Sequence, residues 1–410
     1  MEHPEIDIAF LFRTRLHLLA LKLYTIPPQG CVVPTSGVWH RLRWGEGVLG
    51  LSCNDTFVLK TPSTFDCSIP EMWAPMVLGC TCVVVPDGAH LDFEVVKDCM
   101  EAHAVTVAHF VPSVLALFLD FVSEGDLLAL RQISCTGEAL LLSHREKLTK
   151  KVGRPLPLIN LYGPTEASVE VTYFDAKDDL SGAAHGFPIG FPGDEGVKVY
   201  VTDPNDPKIL VAPGEKGEVC LGGIQVAYGY LNRADLTSSR FLPNPHGHPG
   251  LLYRTGDLGI LGTKYDGALE YHGRTDRQVK VGGVRIELGE IEAVCLKVFA
   301  QSLLNIAVEK VDDRLVGVAA PRPGCTAPPS ASELNEALAA ALPKAYVPSE
   351  WHFRDALPLG SAGKVDHNQV VSWIKDQSKA AMWGSIYDEV RAEGGDIAPN
   401  RLPLEVSWQR

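Results

Sequence analysis

The segment Leu158–Glu166 reads LINLYGPTE, and it decides how the rest of the sequence is interpreted. Its first part, Leu158–Leu161, is mostly apolar and predicts a short buried strand. The turn that follows presents an aromatic ring, a hydroxyl and a carboxylate, on Tyr162, Thr165 and Glu166. These groups suit a nucleotide, with the ring stacked on a base and the oxygens facing phosphate and a divalent metal. An ordinary strand-to-loop turn is the alternative interpretation.

Apolar runs and helical spacings alternate on the N-terminal side of this segment. Thr81–Val85 and Val105–Phe110 predict buried strands, whereas Phe93–Ala102 and Ser113–Val122 have the spacing of helices. This alternation predicts an α/β sheet with helices on its faces. From about residue 186 to residue 281, short strands with Gly and Pro turns dominate, which predicts a more antiparallel or barrel-like part.

Composition and charge exclude several classes of function. The 37 basic and 50 acidic residues give a net charge of -13, which argues against a nucleic-acid partner. The longest apolar stretch, Phe110–Val122, is interrupted by Pro112 and Asp120, so no membrane span or membrane partner is expected. The 10 cysteines form no CxxC pair, which favours a reduced, cytoplasmic location.

Three further segments carry polar groups in turns. Tyr253–Leu258 places a carboxylate after a Gly turn, where it can accept both hydroxyls of a ribose. Gly273–Lys280 leads into Val284–Glu292, and Ser361–Asp366 puts one lysine on a Gly loop. Taken singly, these segments are equally consistent with a surface hairpin, a solvated helix and a surface charge. The Pro-rich stretch before residue 330 precedes a predicted helix at Ser332–Ala341, capped by Ser330 or Ser332.

Taken in order, these segments resemble the adenylate-forming superfamily over roughly Asp55 to Lys375. That superfamily comprises acyl-CoA synthetases, firefly-type luciferases and nonribosomal peptide synthetase adenylation domains. The peptide synthetase branch fits best, because Phe65–Ser68 is similar to its FDxS segment and Leu342–Pro348 to its LPxYMVP segment.

The resemblance implies an α/β adenylate-forming fold. A partial large subdomain of helix-flanked sheets and a distorted barrel would span 1–276. A small α+β C-terminal lobe would span 277–375, and 376–410 would be a tail or the start of a further domain. The small lobe would rotate about a hinge at Asp276.

The activity that the resemblance implies is amino-acid activation. The carboxylate of the amino acid attacks the α-phosphorus of Mg-ATP, giving aminoacyl-AMP and pyrophosphate, and the acyl group then passes to the phosphopantetheine thiol of a peptidyl carrier domain. ATP and Mg²⁺ would be the cofactors, and no carrier domain is found in this sequence. Lys364, Glu166 as metal ligand and Asp276 would be catalytic. The nucleotide would meet Gly137, Glu138, Asn160, Tyr162, Gly163, Thr165, Asp257, Tyr271 and Arg274.

The same motif match implies an amino-acid pocket. It would be formed by Asp66, Cys67, Pro70, His109, Ser134, Thr136, Leu161, Val169, Glu170 and Lys364. Asp66 would pair with the α-ammonium group, which disfavours the alternative of an acyl- or aryl-CoA ligase. His109 and Glu170 would form a polar pair similar to that of serine-activating domains, although Cys67 and Pro70 do not match that pattern. A small hydroxy amino acid, serine first, is therefore predicted. A core histidine is the other interpretation of His109.

The sequence departs from the family at its N-terminal end. The family's phosphate loop, roughly TSGSTGxPKG, is absent, and Tyr24–Gly30 stands in its place as YTIPPQG. Pro27 and Pro28 have no N–H to offer a phosphate, and Gln29 replaces the lysine. We therefore expect a truncated subdomain and little adenylation by this chain. An altered gene model and a catalytically decayed copy are the two explanations.

Overall fold

The computed structural model describes residues 30–176, 186–262, 265–359 and 365–377. The chain divides into two compact units, with the boundary after Arg285. The predictions for the phosphate loop at 24–29 and for Lys364 lie outside the described residues. The predicted hinge at Asp276 falls within the first unit and stays a prediction.

The strands of the first unit alternate with helices up to residue 162, and after that most of them follow one another without a helix between them. In chain order they are β1 (Cys31–Val32), β2 (Thr56–Leu59), β3 (Thr81–Val84), β4 (Val107–Phe110), β5 (Gln132–Cys135), β6 (Leu158–Tyr162), β7 (Thr172–Asp175), β8 (Phe191–Pro192), β9 (Val197–Thr202), β10 (Lys216–Gly223), β11 (Gly229–Tyr230), β12 (Phe241–Pro243), β13 (Leu251–Leu261), β14 (Leu269–Arg274) and β15 (Gln278–Val281). The boundary between the units falls within β16 (Val284–Glu287).

The helices of the first unit begin and end at residues suited to those positions. They are α1 (Thr35–Leu49), α2 (Ser68–Leu78), α3 (Phe93–Ala102), α4 (Pro112–Phe118), α5 (Leu142–Val152) and α6 (Ala234–Arg240). α3 begins after Asp92, whose side chain accepts the N–H of Val95. α1 ends at Gly50, which has a φ of +58°, a left-handed conformation that glycine adopts without strain.

The main sheet of the first unit has seven strands in the order β3-β2-β4-β5-β6-β7-β8. The first five run parallel, and β7 and β8 add an antiparallel edge. Successive residues of a strand belong to different apolar clusters: Val107 packs in one cluster, and Ala108 in the other. Successive side chains of a strand point to opposite faces of the sheet, so a sheet that is buried on both faces has one apolar cluster on each face. The predicted α/β fold class is confirmed.

Antiparallel strands dominate after β8, as predicted, but among the described residues they form no closed barrel. β12, β13, β10 and β9 lie in that order, and β14 pairs with β13, which makes an open five-stranded sheet. β13 has 11 residues and pairs with three different strands along its length. β1 and β11 pair antiparallel as a separate ribbon, and β15 and β16 form another.

The second unit is a small α+β layer. β17 (Leu303–Val311) and β18 (Arg314–Pro321) pair antiparallel, and β19 (Glu350–Phe353) adds parallel to β18. Helices α7 (Leu288–Val298), α8 (Ala331–Ala341) and α9 (367–377) complete it. Ser330 caps α8 in a capping box with Glu333, as the sequence predicts. No helix of the described ranges in either unit is long and apolar enough to cross a bilayer.

Candidate active site

The turn after β6 brings the chain back over itself. Val171 donates its N–H to the carbonyl of Tyr162 over 2.8 Å. A side chain on Gly163 would lie 2.2 Å from the carbonyl oxygen of Val169, so only glycine allows this approach. Ser168 and Val169 have φ of +56° and +81°, and the second value is strained because valine is β-branched. The strained turn carries two of the predicted pocket residues, Val169 and Glu170.

Gln225 fixes the strained turn from the neighbouring loop. Its amide nitrogen donates to the carbonyls of Ala167 and Glu170, over 3.1 and 2.8 Å. Its amide oxygen accepts from Trp44 Nε1 over 2.9 Å, and its backbone carbonyl accepts from Ser168 Oγ over 2.7 Å. The buried Gln225 side chain therefore holds the backbone that carries Val169 and Glu170. The sequence analysis missed this residue.

The predicted ribose carboxylate lies beside the predicted adenine ring. Tyr162 donates its hydroxyl to Asp257 Oδ2 over 2.7 Å, and Arg274 pairs with Asp257 Oδ1. Burial and the neighbouring Asp257 carboxylate raise the pKa of Tyr162 well above its usual range, so the phenol stays protonated and able to donate. Burial also raises the pKa of the nearby Tyr271. The structure thus brings together four residues predicted to contact the nucleotide.

Arg274 links this carboxylate to the predicted hinge. Its Nε lies 2.6 Å from Asp276 Oδ1 and its Nη2 lies 3.0 Å from Asp276 Oδ2, a bidentate pair. Arg240 Nη2 adds a contact of 3.3 Å to Asp276. Burial opposes ionisation of Asp276, but the Arg274 hydrogen bonds outweigh it and lower the pKa of the carboxyl. Arg274 therefore contacts two carboxylates at once, and Arg240 shares the charge of Asp276.

Glu166 lies in a short 3-10 turn, Thr165–Ala167, and only 1% of it is exposed. Its Oε1 accepts the hydroxyl of Tyr230 over 2.7 Å, and Arg285 Nη1 lies 3.6 Å from the same oxygen. Proteins typically hold Mg²⁺ through one or two carboxylates together with phosphates of a bound nucleotide. A single buried carboxylate of this kind fits that donor set, so Glu166 would supply the protein ligand. The described residues contain no cluster of three or more His, Cys, Asp or Glu that could hold a metal alone.

Asp66, the predicted partner of the α-ammonium group, precedes α2 and faces the same turn. Burial raises the pKa of its carboxyl, and a hydrogen bond from the Thr165 side chain and the charge of Lys280 only partly oppose this. The charge of Glu166 adds to the rise. A cation from a ligand would offset the unfavourable burial of the Asp66 carboxylate, because a positive charge nearby favours the ionised form.

A small cavity lies between α1, α2 and the strands β2, β4 and β5. The cavity has a volume of about 30 Å³, and Pro70, His109, Ser134 and Arg41 are among the residues that line it. His109 Nδ1 lies 3.0 Å from Ser134 Oγ, whereas His109 Nε2 is buried with no hydrogen-bond partner among the described residues. Burial, aided by the charges of Lys60 and Arg41, lowers the pKa of His109 to about 3. The imidazole is therefore neutral and can exchange a hydrogen bond with a small polar group.

Glu170 pairs with a residue that the sequence analysis did not single out. Arg41 Nε lies 2.6 Å from Glu170 Oε2, and the two side chains are 3% and 1% exposed. The structure therefore does not pair His109 with Glu170. His109 contacts Ser134, and Glu170 pairs with Arg41. A carboxylate this buried requires a cation, and a neutral imidazole cannot supply one. Arg41 lies on an otherwise apolar helix face beside Val38 and Leu42. An arginine in such a place indicates a buried acidic partner, and this pattern could have identified the residue from the sequence.

The remaining predicted site residues lie at the carboxyl edge of the sheet or beside it. Glu138 accepts the N–H groups of Ser113 and Gly283, over 3.1 and 2.9 Å, and therefore anchors two loops. Asn160 donates its amide to the carbonyls of Phe187 and Pro188, so its nitrogen is committed to the protein. The other four differ in exposure: Cys67, Thr136 and Leu161 are buried, and Gly137 is half-buried. Gathering at this edge of a parallel sheet is typical of ligand sites.

The fold and the polar groups at this edge are typical of α/β proteins that bind a small ligand, and comparison with known proteins gives the family. The family model described as AMP-binding enzyme matches residues 27–231. The chain belongs to the AMP-binding enzyme family.

Its relatives include peptide synthetases. The chain is 38% identical over 345 residues to phosphinothricin tripeptide synthetase PhsB of Streptomyces viridochromogenes, covering 83% of this chain and 28% of that protein. It is similar to the Vibrio cholerae adenylation domain AlmE, solved in complex with glycyl-adenosine-5′-phosphate, with 26% identity and a TM-score of 0.70 over 86% of this chain and 64% of that one. An NRPS protein containing adenylation and PCP domains matches at 26% identity and a TM-score of 0.70, over 84% of this chain and 57% of that one. The resemblance to the adenylation family is confirmed, and the chain spans less than a third of the PhsB synthetase.

Proposed function

We propose that this chain is an amino-acid-activating adenylation domain whose described residues bind an aminoacyl adenylate. One observation carries the proposal: the turn from Tyr162 to Thr165 contacts both predicted carboxylates. Tyr162 hydrogen-bonds Asp257, and Thr165 lies beside Asp66, where its side chain favours the ionised form of that carboxyl and lowers its pKa. A ligand that joins a ribose to an α-ammonium group would span these two carboxylates, and an aminoacyl-AMP has both groups.

The reaction would be adenylation followed by transfer. A carboxylate oxygen of the amino acid attacks the α-phosphorus of ATP, the bond from that phosphorus to the bridging oxygen of pyrophosphate breaks, and aminoacyl-AMP forms. Glu166 would hold Mg²⁺, which supplies charge stabilisation when bound. The acyl group would then pass to the phosphopantetheine thiol of a carrier domain. AlmE, a similar adenylation domain, was solved with a glycyl adenylate, which supports this assignment.

Serine is the proposed substrate, or an amino acid of similar size with a hydroxyl. The neutral His109 has a buried Nε2 that could exchange a hydrogen bond with a side-chain hydroxyl. The small cavity has space for about two water molecules at ~10–15 Å³ each, which suits a hydroxymethyl group better than a large side chain.

The test uses stable sulfamoyladenosine conjugates that imitate aminoacyl-AMP. The chain is titrated by calorimetry with seryl, alanyl and leucyl conjugates. Seryl should bind at least ~10-fold more tightly than alanyl, because a site built for a hydroxyl leaves a buried group unpaired when the hydroxyl is absent. Leucyl should bind most weakly. A preference for leucyl would remove the serine assignment, and no binding of any conjugate would remove the proposed function.

A further inference from the structure

We infer that Arg41 sets the charge of the side-chain pocket and thereby restricts it to uncharged amino acids, with Glu170 as the counter-ion of Arg41. The inference rests on the proposed function and deepens it by naming the class of substrate. Arg41 lies on α1 and is not among the pocket positions predicted from the sequence. Its role is to position and neutralise Glu170, and to face the ligand with a charge of its own.

The contacts of Arg41 connect the pocket to the strained turn. Its guanidinium pairs with Glu170 Oε2 over 2.6 Å, and it lies over the Trp44 ring at 4.2 Å. Arg41 also lines the cavity that contains His109 and Ser134. The other carboxylate oxygen of Glu170, Oε1, is buried and has no hydrogen-bond partner among the described residues. Glu170 is thus held by one strong contact, and its orientation depends on Arg41.

The charges around the cavity balance. Arg41 and Glu71 line the cavity, and each has a buried partner: Arg41 pairs with Glu170, and Lys60 Nζ lies 3.4 Å from Glu71 Oε1. Glu71 also accepts the backbone N–H groups of Lys60 and Thr61, which commits both of its oxygens. Asp66 adds one carboxylate, and the α-ammonium group of the ligand would neutralise it. The side-chain end of the pocket therefore presents two compensated pairs and a neutral imidazole.

A charged side chain would disturb this balance. An ammonium group entering the cavity would meet Arg41, and a carboxylate would meet the negative field of Glu170. Burying a charge without a partner is costly, so both classes of side chain are disfavoured. Removing one member of the pair reverses one of these exclusions, because the remaining charge then lacks a partner. We therefore expect that removing Arg41 favours cationic side chains of the ligand and that removing the charge of Glu170 favours anionic ones.

The experiment measures that reversal by calorimetry on the full 410-residue chain. The probes are sulfamoyladenosine conjugates of serine, 2,3-diaminopropionate and aspartate. Arg41→Met should raise the affinity ratio of the diaminopropionyl to the seryl conjugate by at least ~10-fold. Glu170→Gln should raise the affinity ratio of the aspartyl to the seryl conjugate by a similar factor. A tenfold change in affinity requires only part of the free energy with which two charges interact inside a protein. The double variant Arg41→Met/Glu170→Gln has no net charge change and should return towards the seryl preference. Arg41→Lys keeps the charge and should retain it.

The possible failures are distinguishable. If the wild-type chain binds none of the conjugates, the proposed function fails. If it binds the seryl conjugate and the single variants weaken all three conjugates by the same factor, Arg41 and Glu170 have a structural role only and this inference fails. Should Arg41→Met not fold, Glu170→Gln carries the test, because glutamine keeps the size of the side chain. An unchanged aspartyl ratio in Glu170→Gln would overturn the inference.

Discussion

Tyr162 donates its hydroxyl to Asp257 over 2.7 Å, although 95 residues separate the two in the chain. The contact joins the main sheet, where β6 ends, to β13 of the antiparallel sheet. Asp257 also pairs with Arg274, so both of its oxygens are engaged. The candidate ribose site is therefore preorganised, and the hydroxyls of a ribose would replace hydrogen bonds that Asp257 already accepts from the protein.

Replacing Asp257 by asparagine should weaken adenosine-containing ligands. An amide offers one acceptor oxygen in place of two, and the loss of a charge-assisted hydrogen bond of about 1.5–3 kcal/mol corresponds to ~10–100-fold in affinity. Calorimetry with the seryl sulfamoyladenosine conjugate measures this loss. Asp235→Asn is the matched control, since that side chain is 70% exposed on α6. Equal affinities for the Asp257→Asn variant and the control would refute the ribose assignment.

Replacing Asp66 by asparagine should affect only ligands that carry an amino group. The seryl conjugate should lose ~10–100-fold in affinity, the scale of one buried charge contact, whereas the 3-hydroxypropanoyl conjugate, which lacks the ammonium, should bind unchanged. Equal loss for both conjugates would mean that Asp66 supports the fold and does not contact the substrate.

The affinity for the seryl conjugate should also depend on pH through Asp66. Burial raises the pKa of this carboxyl above its usual value of 3.8. The ionised form pairs with the ammonium, so binding should be strong above the raised pKa and should weaken as pH falls through it. The 3-hydroxypropanoyl conjugate serves as the comparison, because its binding needs no charge on Asp66. A seryl profile that follows the 3-hydroxypropanoyl profile would contradict this prediction.

Sequence reasoning placed the strands and the turn residues but not the contacts across the fold. The strand at 158–162 and the helix at 93–102 follow from local apolar spacing, and that information is present in a single segment. Arg41 and Glu170 are 129 residues apart, so no local pattern reveals their pairing. His109 and Glu170 were expected to form a polar pair because they resemble the histidine and the acidic residue of serine-activating domains. In the structure Glu170 pairs with Arg41, because a buried carboxylate without a cation would cost more free energy than a neutral histidine without a carboxylate.

A buried ion pair outside the site should stabilise the first unit. Asp55 is 4% exposed and accepts two contacts from Arg131, Nε over 2.6 Å and Nη2 over 2.7 Å, together with Thr106 Oγ1 over 2.8 Å. Arg131→Met leaves the carboxylate without its cation and should lower the free energy of unfolding by about 1–3 kcal/mol, since the arginine is partly exposed. Urea denaturation at pH 7 measures the loss, and Arg43→Met, at an exposed position on α1, is the control.

The effect of Arg131 should depend on pH with a definite sign. Burial opposes ionisation of Asp55, but the hydrogen bonds from Arg131, Thr106 and Ser52 outweigh it and lower the pKa below 3.8. A carboxyl with a lowered folded-state pKa contributes stability above its unfolded pKa and loses it as pH falls through the folded value. The stability difference between wild type and Arg131→Met should therefore be full at pH 7 and shrink below pH ~4. A difference that stays constant to pH 2 would contradict the ion-pair account.

We predict that turnover by this chain is poor even if the proposed site binds an adenylate. Residues 24–30 offer two prolines and a glutamine where the family has a glycine-rich loop with a lysine. Pyrophosphate exchange with serine should be at background for this chain and should rise when residues 24–30 are replaced by a family-type phosphate loop. In the protein with the replaced loop, Lys364→Ala should reduce exchange by ~10²–10³, the usual cost of losing one preorganised charge contact. Robust exchange by the unmodified chain would show that residues 24–30 do not impair phosphate binding.

The central claim is that one turn, Tyr162 to Thr165, serves both the ribose and the α-ammonium group. The most direct measurement compares the affinity of the seryl sulfamoyladenosine conjugate with those of adenosine and of serine in the same calorimetric titration. A ligand that reaches both carboxylates at once gains the second contact intramolecularly, so its affinity should exceed that of adenosine by at least ~10². The account predicts this gain for the wild-type chain and its loss in both Asp66→Asn and Asp257→Asn. A seryl conjugate that binds no more tightly than adenosine would contradict it.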